Sequence, residues 1–150
     1  NCGSEKACVG ATIEVSGIEF VKCNGEQSCQ RAKITVIDPI QLFHLDCNGD
    51  LSCNDLELTV IISEPIGGCA DAMYGYDVTE WKGITCGTGG SCEGLKLTVI
   101  NNGCKAIRLE DLQCNAGRAC TGAVFDFNAG NGFFPVDIAN CMCGPSCLFA

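Results

Sequence analysis

Five short stretches of this chain alternate apolar and polar residues. The apolar members are Ile13 and Val15, Ile34 and Val36, Leu58 and Val60, Leu97 and Val99, and Phe125 and Phe127. Two residues before each pair stands Ala11, Ala32, Leu56, Leu95 or Ala123. The intervening positions carry Thr12, Lys33, Glu57, Lys96 and Val124, then Glu14, Thr35, Thr59, Thr98 and Asp126. A period of two sends alternate side chains to opposite faces, so each stretch predicts a β-strand with its apolar face inward. An α-helix would need a spacing near 3.6, and Ile, Val and Thr favour strands as well.

All five stretches stand in the same phase to a pair of cysteines six residues apart. Aligned on Cys2/Cys8, Cys23/Cys29, Cys47/Cys53, Cys86/Cys92 and Cys114/Cys120, they superimpose over sixteen residues without a gap. Cys141/Cys147 starts a sixth copy. First cysteines at 2, 23, 47, 86, 114 and 141 give steps of 21 to 28 residues, with one step of 39. A repeat of this length buries its apolar side only by stacking on its neighbours. Reading down the alignment also predicts a second strand before each first cysteine. Its inward positions are Ile18, Leu42, Trp81, Leu109 and Val136, then Val21, Leu45, Ile84, Leu112 and Ala139.

The expected fold is therefore all-β: a disulfide-stapled parallel β-solenoid of five to six coils with two main strands per coil. It forms a single domain over residues 1–150, with one insertion at about 63–84 between the third and fourth coils. Equivalent strands of successive coils would pair in parallel about 4.8 Å apart. Lys33, Glu57 and Lys96 would then alternate in sign on neighbouring strands, which favours one stacking register.

Fifteen cysteines in 150 residues is the density of a disulfide scaffold and implies an oxidising, secreted setting. Zinc fits poorly, because the spacing exceeds that of structural zinc sites and His44 is the single histidine. The simplest pairing closes each five-residue corner on itself. A bond between equivalent cysteines one coil apart is the alternative, since the coil spacing of about 4.8 Å also suits a disulfide. Cys69 and Cys104 follow equivalent strands and form a plausible bridge. Cys143 is left over, as a free thiol or a bond to another molecule. The chain opens at Asn1 without a basic leader, so a signal peptide is expected to be gone already. A net charge of −9 argues against nucleic acid, and no apolar run is long enough to span a bilayer.

The unit C-x-G-x-x-[SA]-C-x-x-[AL]-x-[IL]-x-V, met in full by the copies at Cys23 and Cys47, resembles the cysteine-stapled β-solenoid repeats of secreted and cell-surface proteins. The resemblance is one of repeat architecture and implies the fold alone. Insect antifreeze solenoids are similar in bracing. Here the threonine column Thr35, Thr59 and Thr98 is broken by Glu14 and Asp126, which speaks against ice binding.

No catalytic constellation stands out. Outward acids at Glu14, Asp46, Glu57 and Asp126 fall in different columns or distant coils, and His44 lacks a nucleophile motif. Asn48-Gly49-Asp50 carries only a fragment of a calcium loop. Neither a cofactor nor a metal is expected. The insertion gathers Tyr74, Tyr76 and Trp81 beside acids, which suits a carbohydrate- or protein-binding surface. The plain alternative puts Trp81 in the inward column of Leu42 and Leu109. The two ends share one repeat phase and show no capping helix. The leading expectation is thus a non-enzymatic, secreted structural protein, a subunit or a segment of a fibre built by end-to-end stacking, as in a flagellar hair, a cell-wall fibril or an adhesive filament. A carbohydrate-binding or adhesive surface module is the alternative. A polysaccharide-active enzyme ranks below both.

Overall fold

A computed structural model describes residues 1–40, 43–66, 78–116, 118–128 and 136–141, with Val78 and 136–141 described by their backbone only. The described residues contain ten strands and no helix. In chain order these are β1 (Thr12–Ser16), β2 (Phe20–Lys22), β3 (Lys33–Ile37), β4 (His44–Cys47), β5 (Glu57–Ile62), β6 (Val78–Cys86), β7 (Lys96–Asn101), β8 (Ala106–Cys114), β9 (Val124–Asn128) and β10 (Val136–Cys141). They form two five-stranded sheets, ordered β1-β3-β5-β7-β9 and β10-β8-β6-β4-β2, so each connection carries the chain from one sheet to the other. Every pairing is parallel.

The odd sheet keeps one register throughout. Ile13, Ile34, Leu58, Leu97 and Phe125 are successive partners, as are Val15, Val36, Val60, Val99 and Phe127. Val36, Val60 and Val99 are at most 1 % exposed, whereas Lys33, Glu57 and Lys96 in the alternate column are exposed. Inward residues of both sheets form one apolar cluster, with Leu45, Trp81, Ile84, Leu109 and Leu112 contributed by the even sheet. Phe43 joins them, its ring meeting that of Trp81 edge-on at 5.3 Å between centroids.

Two features of the even sheet stand out, a departure from strict alternation and a departure from the cysteine phase. The inward positions Trp81 and Ile84 lie three residues apart, not two, as the cysteine phase places them, with Gly83 between them paired with Asp111. Gly83 has φ +111°, and a Cβ there would collide with the Asp111 carbonyl oxygen, so only glycine fits the position. The second departure is a correction. β10 pairs Ile138 with Leu109 and Cys141 with Leu112, which moves Val136 and Ala139 out of the inward columns assigned to them from the cysteine phase. Strand pairing thus shifts the sixth copy by two residues relative to its first cysteine.

At the corners, the second cysteine of one repeat binds the next repeat. The N–H groups of Cys8, Cys29, Cys53 and Cys92 donate to the carbonyls of Ser28, Ser52, Ser91 and Ala119 at 2.6–2.7 Å. Five disulfides close these corners: Cys2–Cys8, Cys23–Cys29, Cys47–Cys53, Cys86–Cys92 and Cys114–Cys120, with Cα–Cα separations of 5.7–5.9 Å. Cys104 is disulfide-bonded to a partner outside these ten cysteines. Cys69, Cys143 and Cys147 lie outside the described residues, and the side chain of Cys141 does so too. Among the described residues no helix is long and apolar enough to cross a membrane. The many intramolecular disulfides are consistent with an extracellular protein.

Candidate functional site

The outward face of the even sheet carries the densest polar network. Lys22, Asp46, Thr85 and Gln113 form one column across β2, β4, β6 and β8, and Phe20, His44, Gly83 and Asp111 form its neighbour. Asp46 is 9 % exposed and accepts hydrogen bonds from the side-chain amides of Asn24, at 3.3 Å, and Asn48. These two amides satisfy an almost buried carboxylate that would otherwise be costly to hold there. Asn48, the first residue of the Asn-Gly-Asp triplet, is therefore tied to Asp46.

His44 Nε2 is hydrogen-bonded to Thr85 Oγ1 at 3.0 Å. Burial lowers the His44 pKa below its ordinary 6.5. Lys82 and Lys22 push the same way, and Asp46 opposes them. The folded chain thus favours neutral imidazole, and the unfolded chain takes up the proton first as pH falls. Stability contributed by the neutral ring is present above about pH 6.5 and declines below it, down to the folded pKa. Between pH 7.5 and 5.5 the urea midpoint of the native chain should therefore fall, and that of His44→Gln should fall less. Equal losses would remove His44 as a source of the pH dependence.

The remaining candidate acids do not converge. Glu14 and Asp126 occupy opposite ends of one outward column, separated by Thr35, Thr59 and Thr98. Glu57 pairs with Lys33 at 3.1 Å, both well exposed, a contact of small energetic weight. Among the described residues, one group of potential metal ligands comes together, the sulfurs of Cys86, Cys114 and Cys120. All three are disulfide-bonded and have no thiolate to offer.

The binding-surface reading of Tyr74, Tyr76 and Trp81 loses its tryptophan. Trp81 is 2 % exposed and packs on Phe43, because its position in β6 faces inward beside Leu109. Tyr74 and Tyr76 lie outside the described residues. Thr85 and Phe43 are the residues that sequence reasoning missed. Thr85 was recoverable as an outward member of the strand before Cys86. Phe43 lies beside the inward position assigned to Leu42, and nothing in the repeat phase marks it.

An apolar hollow opens at one end of the two sheets. β1 and β2 are the outermost strands of their sheets at the same end of the stack. Between them opens a hollow of about 320 Å³, lined by Cys2, Ile13, Val15, Ile18, Phe20 and Val21 among others. Ile13, Val15 and Ile18 are half-exposed there, while the next residues in the odd-sheet columns, Ile34 and Val36, are 4 % and 0 % exposed. Phe20 is 43 % exposed at the rim, with Lys22 Nζ 4.7 Å above its ring. At the opposite end β9 and β10 are outermost. Phe125 and Phe127 in β9 continue the same two inward columns, Phe127 being half-buried. No family model matches this chain, and no curated protein or solved structure matches it either.

Proposed function

We propose that the chain winds as a disulfide-stapled β-solenoid and serves as an extracellular, non-enzymatic structural module whose copies stack end to end into a fibre. The observation that carries this reading is the graded exposure of the inward columns. The same positions are sealed in the middle of the stack and half-exposed around the hollow between β1 and β2. A second copy, bringing its β9 and β10 edges onto β1 and β2, extends both sheets in parallel. It sets Phe125 and Phe127 against Ile13 and Val15. Backbone groups on the outer edges of β1 and β2 gain partners in the same step. The contact is head to tail, so it repeats without closing unless rotation makes a ring. The dispersal of Glu14, Asp46, Glu57 and Asp126 supports the non-enzymatic part of the reading.

Val15→Lys tests it. Val15 is half-exposed, so a lysine there can keep its ammonium in water while the chain remains folded. Sedimentation velocity on the native chain should show elongated oligomers that grow with concentration, and Val15→Lys should sediment as a monomer with unchanged circular dichroism. A native chain that stays monomeric across the concentration range overturns the fibre.

A further inference from the structure

Neighbouring staples lie close enough to exchange sulfur partners. The Cys86 sulfur is within 4.8 Å of both Cys114 and Cys120 sulfurs. Cys86 is bonded to Cys92, and Cys114 to Cys120. The backbone holds the two staples side by side. Cys86 and Cys114 are register partners in β6 and β8, and the Cys92 N–H donates to the Ala119 carbonyl, next to Cys120, at 2.7 Å. Parallel strands about 4.8 Å apart place such partners inside the Cα window of a disulfide, about 4.4–6.8 Å, so a bond between repeats needs little backbone movement. Exposure differs among the four residues. Cys114 is half-buried, Cys120 is 3 % exposed, and Cys86 and Cys92 are 0 % exposed.

We infer that these four cysteines form a thiol-modification site: a low-molecular-weight thiol attacks at Cys114, and the folded chain then re-pairs the four sulfurs between repeats. The thiolate forms a mixed disulfide with Cys114 and displaces Cys120 as a thiolate. Cys120 attacks the Cys92 sulfur, forming Cys92–Cys120 and releasing the Cys86 thiolate. Cys86 then displaces the small thiol from Cys114, forming Cys86–Cys114 between register partners. Two disulfides are present before and after, no net oxidation or reduction occurs, and the small thiol is regenerated. Exchange requires a thiolate, so the rate rises with pH toward the pKa of the attacking thiol. The product differs mechanically from the starting state. A staple within a repeat closes one corner, whereas a bond between repeats ties neighbours along the stack. This inference does not depend on fibre formation, since all four cysteines belong to one chain.

The test is disulfide mapping of the folded, oxidised full chain after incubation with glutathione at pH 8, followed by acid quench and alkylation. Trypsin cuts after Arg118, inside the last corner, and after Lys82 and Lys96 around the neighbouring one. Native pairing leaves segment 83–96 separate from the two halves of the other corner. Re-pairing joins it to both, and fragmentation should identify Cys86–Cys114 and Cys92–Cys120. Cys23–Cys29 and Cys47–Cys53, sealed at 0 % exposure, should stay intact. A Cys86→Ala/Cys92→Ala double variant should instead accumulate the Cys114 adduct several-fold above the native chain. Native pairs with adducts alone would overturn the inference. So would scrambling that draws in Cys23, Cys29, Cys47 and Cys53 equally, because exchange would then proceed through global unfolding. If the double variant does not fold, the map of the native chain decides the matter by itself.

Discussion

Val60→Asp is expected to leave the chain unfolded, whereas Thr59→Asp, one residue away, folds. Val60 is 0 % exposed, with Val36 and Val99 as its register partners on either side. A carboxylate at that position has apolar neighbours and no cation or amide to answer it. Holding an unpaired charge in such surroundings costs at least several kcal/mol, against a net stability of about 5–15 kcal/mol for a whole domain. Thr59 stands between Thr35 and Thr98 on the outward face and is half-exposed, so a carboxylate there stays solvated. Far-ultraviolet circular dichroism and thermal melting would separate the two variants. Similar behaviour would show that the inward and outward faces of the odd sheet have been exchanged.

The odd sheet was legible in the sequence because two independent signals agree there. The period of two picks out which residues face inward, and the cysteine phase states which residues of different repeats are neighbours. Ile34, Leu58 and Leu97 could therefore be placed in one column without coordinates, and the pairings of β3, β5 and β7 put them there. The even sheet was harder for a physical reason. Inward residues such as Trp81 and Ile84 are three apart around Gly83, so alternation does not mark them and the cysteine phase alone placed them. In the sixth copy the two signals conflict. The cysteine phase aligns Cys141 with Cys114, but strand pairing aligns it with Leu112.

The corners hid a further pattern. Lys6, Gln27 and Leu51 have positive φ, and the equivalent position in the fourth repeat is Gly90. Arg31 and Asp55 share a second left-handed position with Gly10, Gly94 and Gly122. Glycine in some copies of a column was the available signal that the other copies hold a side chain in a conformation costing about 1–2 kcal/mol. The polar network was legible only in part. Asp46 could be read as outward, but not as a carboxylate 9 % exposed and held by Asn24 and Asn48, because that depends on how side chains of separate repeats lean together. The bond between His44 and Thr85 spans 41 residues, including the irregular step of the repeat, where spacing alone gives no register.

Full reduction should unfold the chain even though it removes no apolar contact. Each staple joins residues six apart, and closing so short a loop withdraws about 2 kcal/mol of chain entropy from the unfolded state. Five such loops together amount to roughly 10 kcal/mol, comparable with the net stability of an entire domain. The corners also hold strained backbone at Gln27, Arg31, Leu51 and Asp55, all with positive φ and all inside or just beyond a staple. Loss of the bonds lets those residues relax. The buried serines Ser28, Ser52 and Ser91 add to this. Among the described residues none pairs with these hydroxyls, which lie beside a second cysteine and gain water once the corner opens. Excess reductant with alkylation should thus convert the circular dichroism from strand to disordered chain at room temperature, with no denaturant present. Retention of the strand signal after alkylation of all ten staple cysteines would show that stacking of the apolar columns alone suffices, and that the staples act on folding rate or on resistance to proteolysis instead.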